Sequence, residues 1–181
     1  MPAGTKKLVG FVRRYVDDLL RLPKRIHAGR EARALRRELP NYPTTHTRQQ
    51  IRNMRQPRKW RAGEEHIRQR YGGQPRDYAR QPPRRGYEYT DGGGRSVDVS
   101  VDLPNGTTAN VEVKTYQGYR TVNGMPQGQQ VPLSPSIRNQ IEKDIAQRAA
   151  DPKYRPAWTF MEAPPSKELR RYLLNNGIPI L

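Results

Sequence analysis

Residues 97–114 constrain the fold of this chain more than any other stretch. Val97-Asp98-Val99-Ser100-Val101-Asp102-Leu103 puts valine and leucine on one parity and acid or hydroxyl residues on the other. Thr107-Thr108-Ala109-Asn110-Val111-Glu112-Val113-Lys114 alternates in the same way, with Ala109, Val111 and Val113 apolar. A period of two marks a strand with one face in the core. Pro104-Asn105-Gly106 between the runs suits a three-residue hairpin loop, a type I turn followed by glycine in the left-handed region.

That loop sets the expected register. Leu103 faces Thr107, Val99 faces Val111, Val97 faces Val113, and Asp98 falls directly across from Glu112. Two carboxylates then stand about 5 Å apart by Cα, which weakens a sheet unless a cation lies between them. Lys114 follows two residues on, along the same face.

An acid on one strand, then acid-x-lysine on its neighbour, resembles the active-site hairpin of the PD-(D/E)xK nucleases, the restriction-endonuclease-like superfamily. The resemblance implies that Asp98 and Glu112, with the Val113 carbonyl, hold Mg²⁺ or Mn²⁺, and that Lys114 assists the attacking water. The other reading of the same residues is a solvated hairpin face. Val97 stands where the family pattern has proline before the acid.

Two flanking segments extend the resemblance. Arg61 to Tyr71 reads as a helix with Ile67 and Tyr71 on one face and Gly72-Gly73 as its stop. Its Gly63-Glu64 start is similar to the family's first motif, which implies that Glu64, three residues before Ile67, points into the metal site. A charged first turn favoured by the helix dipole is the alternative; His66 is read as a surface side chain. A later helix begins at Ser134-Pro135 or Ser136, with Ile137, Ile141, Ile145 and Ala149 on one side. Its Gln140-Ile141-Glu142-Lys143-Asp144 looks like the Gln-x-x-x-Asp of toxin-type members, which implies that Gln140 positions water or phosphate.

Charge divides the chain. Residues 1–85 hold 23 Lys and Arg against 7 Asp and Glu, whereas residues 86–181 hold 11 against 10. An arginine-rich arm suits phosphate neutralisation, and Arg58, Lys59, Arg61, Arg84, Arg85 and Arg95 are the expected backbone contacts. A disordered or membrane-associated tail is its rival. With no cysteine and three scattered histidines, thiolate and zinc chemistry are not expected. No apolar run is long enough to span a membrane, and Arg13-Arg14 interrupts any signal peptide.

The remaining elements follow from pattern. An amphipathic helix is expected over 8–20, ended or kinked at Leu22-Pro23, then a second over about 28–39. Residues 40–60 read as a basic linker with a helix near 47–54, and 74–85 as a Pro/Arg connector. Tyr87 to Tyr89 reads as a short strand and Asp91 to Gly94 as a tight turn. Residues 116–135 read as a long loop, 157–161 as a central strand, 167–175 as a last helix, and 178–181 as an edge segment. The sum is an α/β (α+β) chain: a basic helical extension over 1–59, then a restriction-endonuclease-like core over 60–181 with a mixed sheet flanked by helices. The resemblance is closest to polymorphic-toxin nuclease domains. It implies a Mg²⁺-dependent endonuclease acting on DNA ahead of RNA, an immunity protein as partner, and action in bacterial cytoplasm after delivery by another module. Repair, recombination or phage nuclease, and non-catalytic nucleic-acid binding, are the alternatives; oligomeric state is open.

Overall fold

The computed structural model describes the backbone of residues 3–89 and 92–181, and side chains from Arg21 onward. Its elements are α1 (Ala3–Glu38), α2 (Arg48–Arg52), α3 (Arg58–Tyr71), β1 (Gln74–Tyr78), β2 (Arg95–Asp102), β3 (Thr108–Lys114), β4 (Tyr119–Val122), β5 (Met125–Gly128), α4 (Pro135–Ala150), β6 (Tyr154–Phe160) and α5 (Lys167–Asn175). The order β1-β2-β3-β6 makes a mixed sheet, antiparallel through β3 and parallel between β3 and β6. The parallel step requires a crossover, which α4 supplies.

Two apolar clusters lie on opposite faces. Leu35, Leu39, Ile51 and Ile67 meet Val99, Val101, Val111, Val113 and Ala157 on one side. Ile137, Ile141 and Ile145 of α4, with Leu169 and Leu173 of α5, cover Trp158 on the other. The hairpin's polar face is therefore buried under α4 rather than solvated, and β3 is covered on both sides. Strand β6 is flanked by β3 and by the C-terminal segment, where the Trp158 amide donates to the Pro179 carbonyl at 3.0 Å.

The hairpin loop has the expected form. Gly106 takes φ 78°, and its amide donates to the Leu103 carbonyl at 2.9 Å. Val99↔Val111, Val101↔Ala109 and Asp102↔Thr108 pair as the loop length dictates. Beyond Val99 the pairing stops, which corrects the expected Val97–Val113 and Asp98–Glu112 pairs. The cause lies on the other edge of β2. Gln74 pairs with Ser100 but Arg76 with Val97, so Pro75 stands opposite two residues, Asp98 and Val99. Such a bulge disrupts the ladder locally and re-aims side chains.

Other expectations are corrected too. Helix α1 runs unbroken through Pro23. Ala28, Ala32, Leu35 and Leu39, spaced four, three and four apart, are buried against the body. Arg25 donates to Asn175 at 2.6 Å and Arg36 to the Ile180 carbonyl at 3.0 Å. This docking offsets the roughly 3 kcal/mol that an interior proline costs a helix. The side chains of the apolar stripe expected over 8–20, and Asp91, lie outside the described residues.

The connector after Gly73 contains strand β1, and Tyr87 to Tyr89 is not a strand. The expected loop after Tyr116 folds into an exposed two-stranded ribbon, β4–β5, turned at Asn123-Gly124 with both φ positive. Ala149 is exposed, off the apolar side of α4. Among the described residues, no helix is long and apolar enough to cross a membrane.

Candidate active site

The bulge opens the sheet at Asp98, and the site forms in that opening. In place of a ladder partner, the Asp98 carboxylate accepts a hydrogen bond from the Val113 amide at 2.7 Å. Burial raises its pKa first; the Glu112 charge raises it further, the Val113 amide opposes, and Glu64 adds to the rise. The result is about 7, against an ordinary 3.8. Asp98 and Glu112 are thus electrostatic neighbours without facing each other squarely across the ladder.

Glu112 is held differently. Lys114 Nζ donates to its Oε1 at 2.5 Å and Arg95 Nη2 to its Oε2 at 2.9 Å. Burial pushes its pKa up, but these two cations outweigh burial and hold it below the usual carboxylate range. Lys114 is fixed from further sides: Nζ also donates to Gln140 Oε1 at 2.8 Å and stands 5.0 Å from the Trp158 ring centroid. Crossover helix α4 thus supplies Gln140 to the same spot.

Helix α3 brings the third acid. Gly63 lies against Thr115, just after Lys114; a Cβ at position 63 would fall 2.0 Å from Thr115 Oγ1. Glycine lets the helix start meet the end of β3, which carries Glu64 to the site. Arg68 Nη2 donates to Glu64 at 2.9 Å, and Arg68 Nε donates to the Asp98 carbonyl at 3.1 Å. Burial raises the Glu64 pKa, Arg68 opposes, and Glu112 adds to the rise.

Two expected phosphate contacts are corrected. Arg95 is 2% exposed. Its Nε and Nη2 donate to Asp144 at 2.6 and 3.2 Å, and Tyr154 and Trp158 Nε1 also donate to Asp144, at 2.7 and 2.9 Å. The bulge is the reason: it shifts the alternation of β2, so Arg95 joins the α4 side although sequence parity groups it with Val99. Burial alone would lower the Arg95 pKa, but Asp144 and Glu112 raise it well above the ordinary value. Removing one partner from such a buried network costs roughly 3–5 kcal/mol. Lys59, on α3, is likewise buried and pairs with Glu162 at 2.7 Å. Arg58, Arg61, Arg84 and Arg85 are exposed.

His66, read from sequence as a surface residue, is buried with Nδ1 2.7 Å from the His46 carbonyl oxygen. Arg68, Asp144 and Tyr154 shape the site without having been singled out for it. The one sequence signal was the Gln140-to-Asp144 spacing, which puts one residue on Lys114 and the other on Arg95. Among the described residues, no three or more acids or histidines form a ready metal cage. Compared with known protein families, characterised proteins and solved structures, the chain shows no significant match.

Proposed function

We propose that this chain is a metal-dependent phosphodiesterase of the PD-(D/E)xK type that acts on nucleic acid. The observation that carries this reading is the convergence of Asp98, Glu112, Glu64, Lys114 and Gln140 where the hairpin ladder ends. The element order from α3 onward supports the restriction-endonuclease-like core that the sequence resemblance implies. Glu112, Asp144 and Glu64 are ion-paired with Arg95, Lys114 and Arg68, whereas Asp98 has no ion pair among the described residues and is the acid whose charge is left uncompensated.

A surplus of hard carboxylate oxygen fits a divalent cation. Each Glu112 oxygen retains lone-pair capacity beyond its one bond to Arg95 or Lys114. The residues that would hold the ion are Asp98 and Glu112, with the Val113 carbonyl and Glu64. Bound there, Mg²⁺ or Mn²⁺ supplies Lewis acidity toward a phosphate oxygen and acidifies a water. Lys114, held by Glu112 and Gln140, donates to that water or to the developing oxyanion. Gln140 keeps the ammonium in place and offers its amide to water or phosphate. Arg58, Arg61, Arg84 and Arg85 neutralise backbone phosphates, with no sequence readout. DNA comes ahead of RNA, as a toxin-type effector countered by an immunity protein, or in repair, recombination or phage nucleolysis.

A second reading, a basic nucleic-acid-binding protein without catalysis, is favoured by one observation: each Glu112 oxygen already has a cationic partner within the chain. Incubation with plasmid DNA and with total RNA, in Mg²⁺ or in EDTA, separates the two. Mg²⁺-dependent cleavage is expected, falling about 100-fold or more in Asp98→Asn, Glu112→Gln and Lys114→Ala, each checked for folding by circular dichroism. Undiminished cleavage in any folded variant counts against this site.

A further inference from the structure

A cleft of about 540 Å³ adjoins the carboxylate cluster and shares Glu64 with it; His46, Trp60, Arg61, Ala62, Glu65 and Arg68 complete its lining. Trp60, in the first turn of α3, is 42% exposed there. The open part of this indole, beside the candidate site, forgoes the burial free energy that its covered part gains. Arg61 holds its guanidinium 5.4 Å from the Trp60 ring centroid.

The charges in the cleft decide what it suits. Arg68 is paired with Glu64 at 2.9 Å and with Glu65 at 3.7 Å, so its cation is already neutralised. Arg61 adds the second positive charge of the lining and Glu65 the second negative one, so two arginines face two glutamates and the cleft carries no net charge. That balance is poor for a phosphate and suitable for a flat, neutral heterocycle. Indole faces stack nucleobases of any sequence, and arginine does the same beside them.

We propose that Trp60 is a stacking platform for an unpaired nucleobase, and that the substrate strand crosses the site single-stranded or locally opened. This rests on the nucleic-acid reading of the adjoining site. A base within a duplex has both faces covered by its neighbours, so only an unpaired or extruded base can lie on Trp60. A base entering the cleft trades places with the Arg61 guanidinium, which then meets the phosphate that the base brings with it. The backbone runs on toward Glu64 and the acid cluster.

Intrinsic fluorescence tests this directly, because Trp158 is fully buried and Trp60 is the only exposed tryptophan. The full chain is titrated in EDTA with oligothymidylate, with an abasic oligomer of the same length, and with a duplex. Oligothymidylate is expected to quench Trp60 and to bind more tightly than either the abasic oligomer or the duplex. Followed instead by the anisotropy of a fluorescein-labelled oligomer, which needs no tryptophan reporter, Trp60→Ala should weaken oligothymidylate binding roughly tenfold and leave abasic binding unchanged, while Trp60→Phe restores most of the loss. Equal binding of the two oligomers, or an unaltered affinity in Trp60→Ala, overturns the proposal. Since EDTA removes cleavage from the measurement, a stacking failure is read separately from a failure of Mg²⁺-dependent hydrolysis.

Discussion

Asp98 shows how much one displaced side chain can change. Its carboxyl, raised to about 7, binds a proton in the folded chain over a range where the unfolded chain has lost it. Its contribution is therefore fully present below the ordinary value and is lost as pH rises through about 7, a total change of at most about 4 kcal/mol. Glu112 has the opposite sign, since Arg95 and Lys114 hold it low, and its support disappears only in acid. Buried His66, lowered by desolvation, also loses stability as pH falls. Comparing Asp98→Asn with the native chain cancels both of these contributions. In urea with EDTA, the variant should be more stable than the native protein at pH 8, by a margin that narrows at pH 5. An equal offset at both values would mean that the Asp98 charge is not strained.

Element by element, what the sequence discloses depends on whether local pattern or tertiary contact decides the outcome. The hairpin register from Val99 to Asp102, the glycine end of α3 and the bounds of α5 are local, and each is legible from period, turn residues and caps. The bulge is not legible, because Pro75 creates it from a strand that does not read as one. Gln-Pro-Arg-Asp-Tyr is exposed, lies on the sheet edge where proline is tolerated, and carries no apolar alternation. Once β1 is missed, Arg95 falls on the wrong face and Asp98 on an unbroken ladder. The grouping of Asp98, Glu112 and Lys114 is legible all the same, while their hydrogen bonds are not. Gly63 offers a test of how α3 is seated. In an isolated helix Gly→Ala is worth up to about 1 kcal/mol of added stability. Against Thr115, Gly63→Ala should instead destabilise by about 1–3 kcal/mol in urea unfolding, with partial recovery in Gly63→Ala/Thr115→Ala. A stabilised single variant would show that the contact is loose.

Across the whole molecule, the net charge of +17 is unevenly used. Lys59 and Arg95 are drawn inward to balance acids, and Arg155 ties α1 to the sheet through Glu31 and Glu38 at 2.6 and 2.5 Å. The arm's second half belongs to the packed body, through Leu35, Leu39 and Ile51. Of the expected phosphate contacts, Arg58, Arg61, Arg84 and Arg85 stay exposed, and if the chain binds nucleic acid as proposed, that affinity should fall with added salt. The carboxylate cluster is the part that a simple basic binder has no need of. Titration calorimetry with Mg²⁺ and Mn²⁺ at pH 8, on the native chain, Asp98→Asn and the surface control Asp77→Asn, tests its role most directly. The expected result is saturable divalent-ion binding in the native chain and in Asp77→Asn, abolished in Asp98→Asn. No binding to the native chain, or equal binding to Asp98→Asn, would contradict a cation site at the opened hairpin.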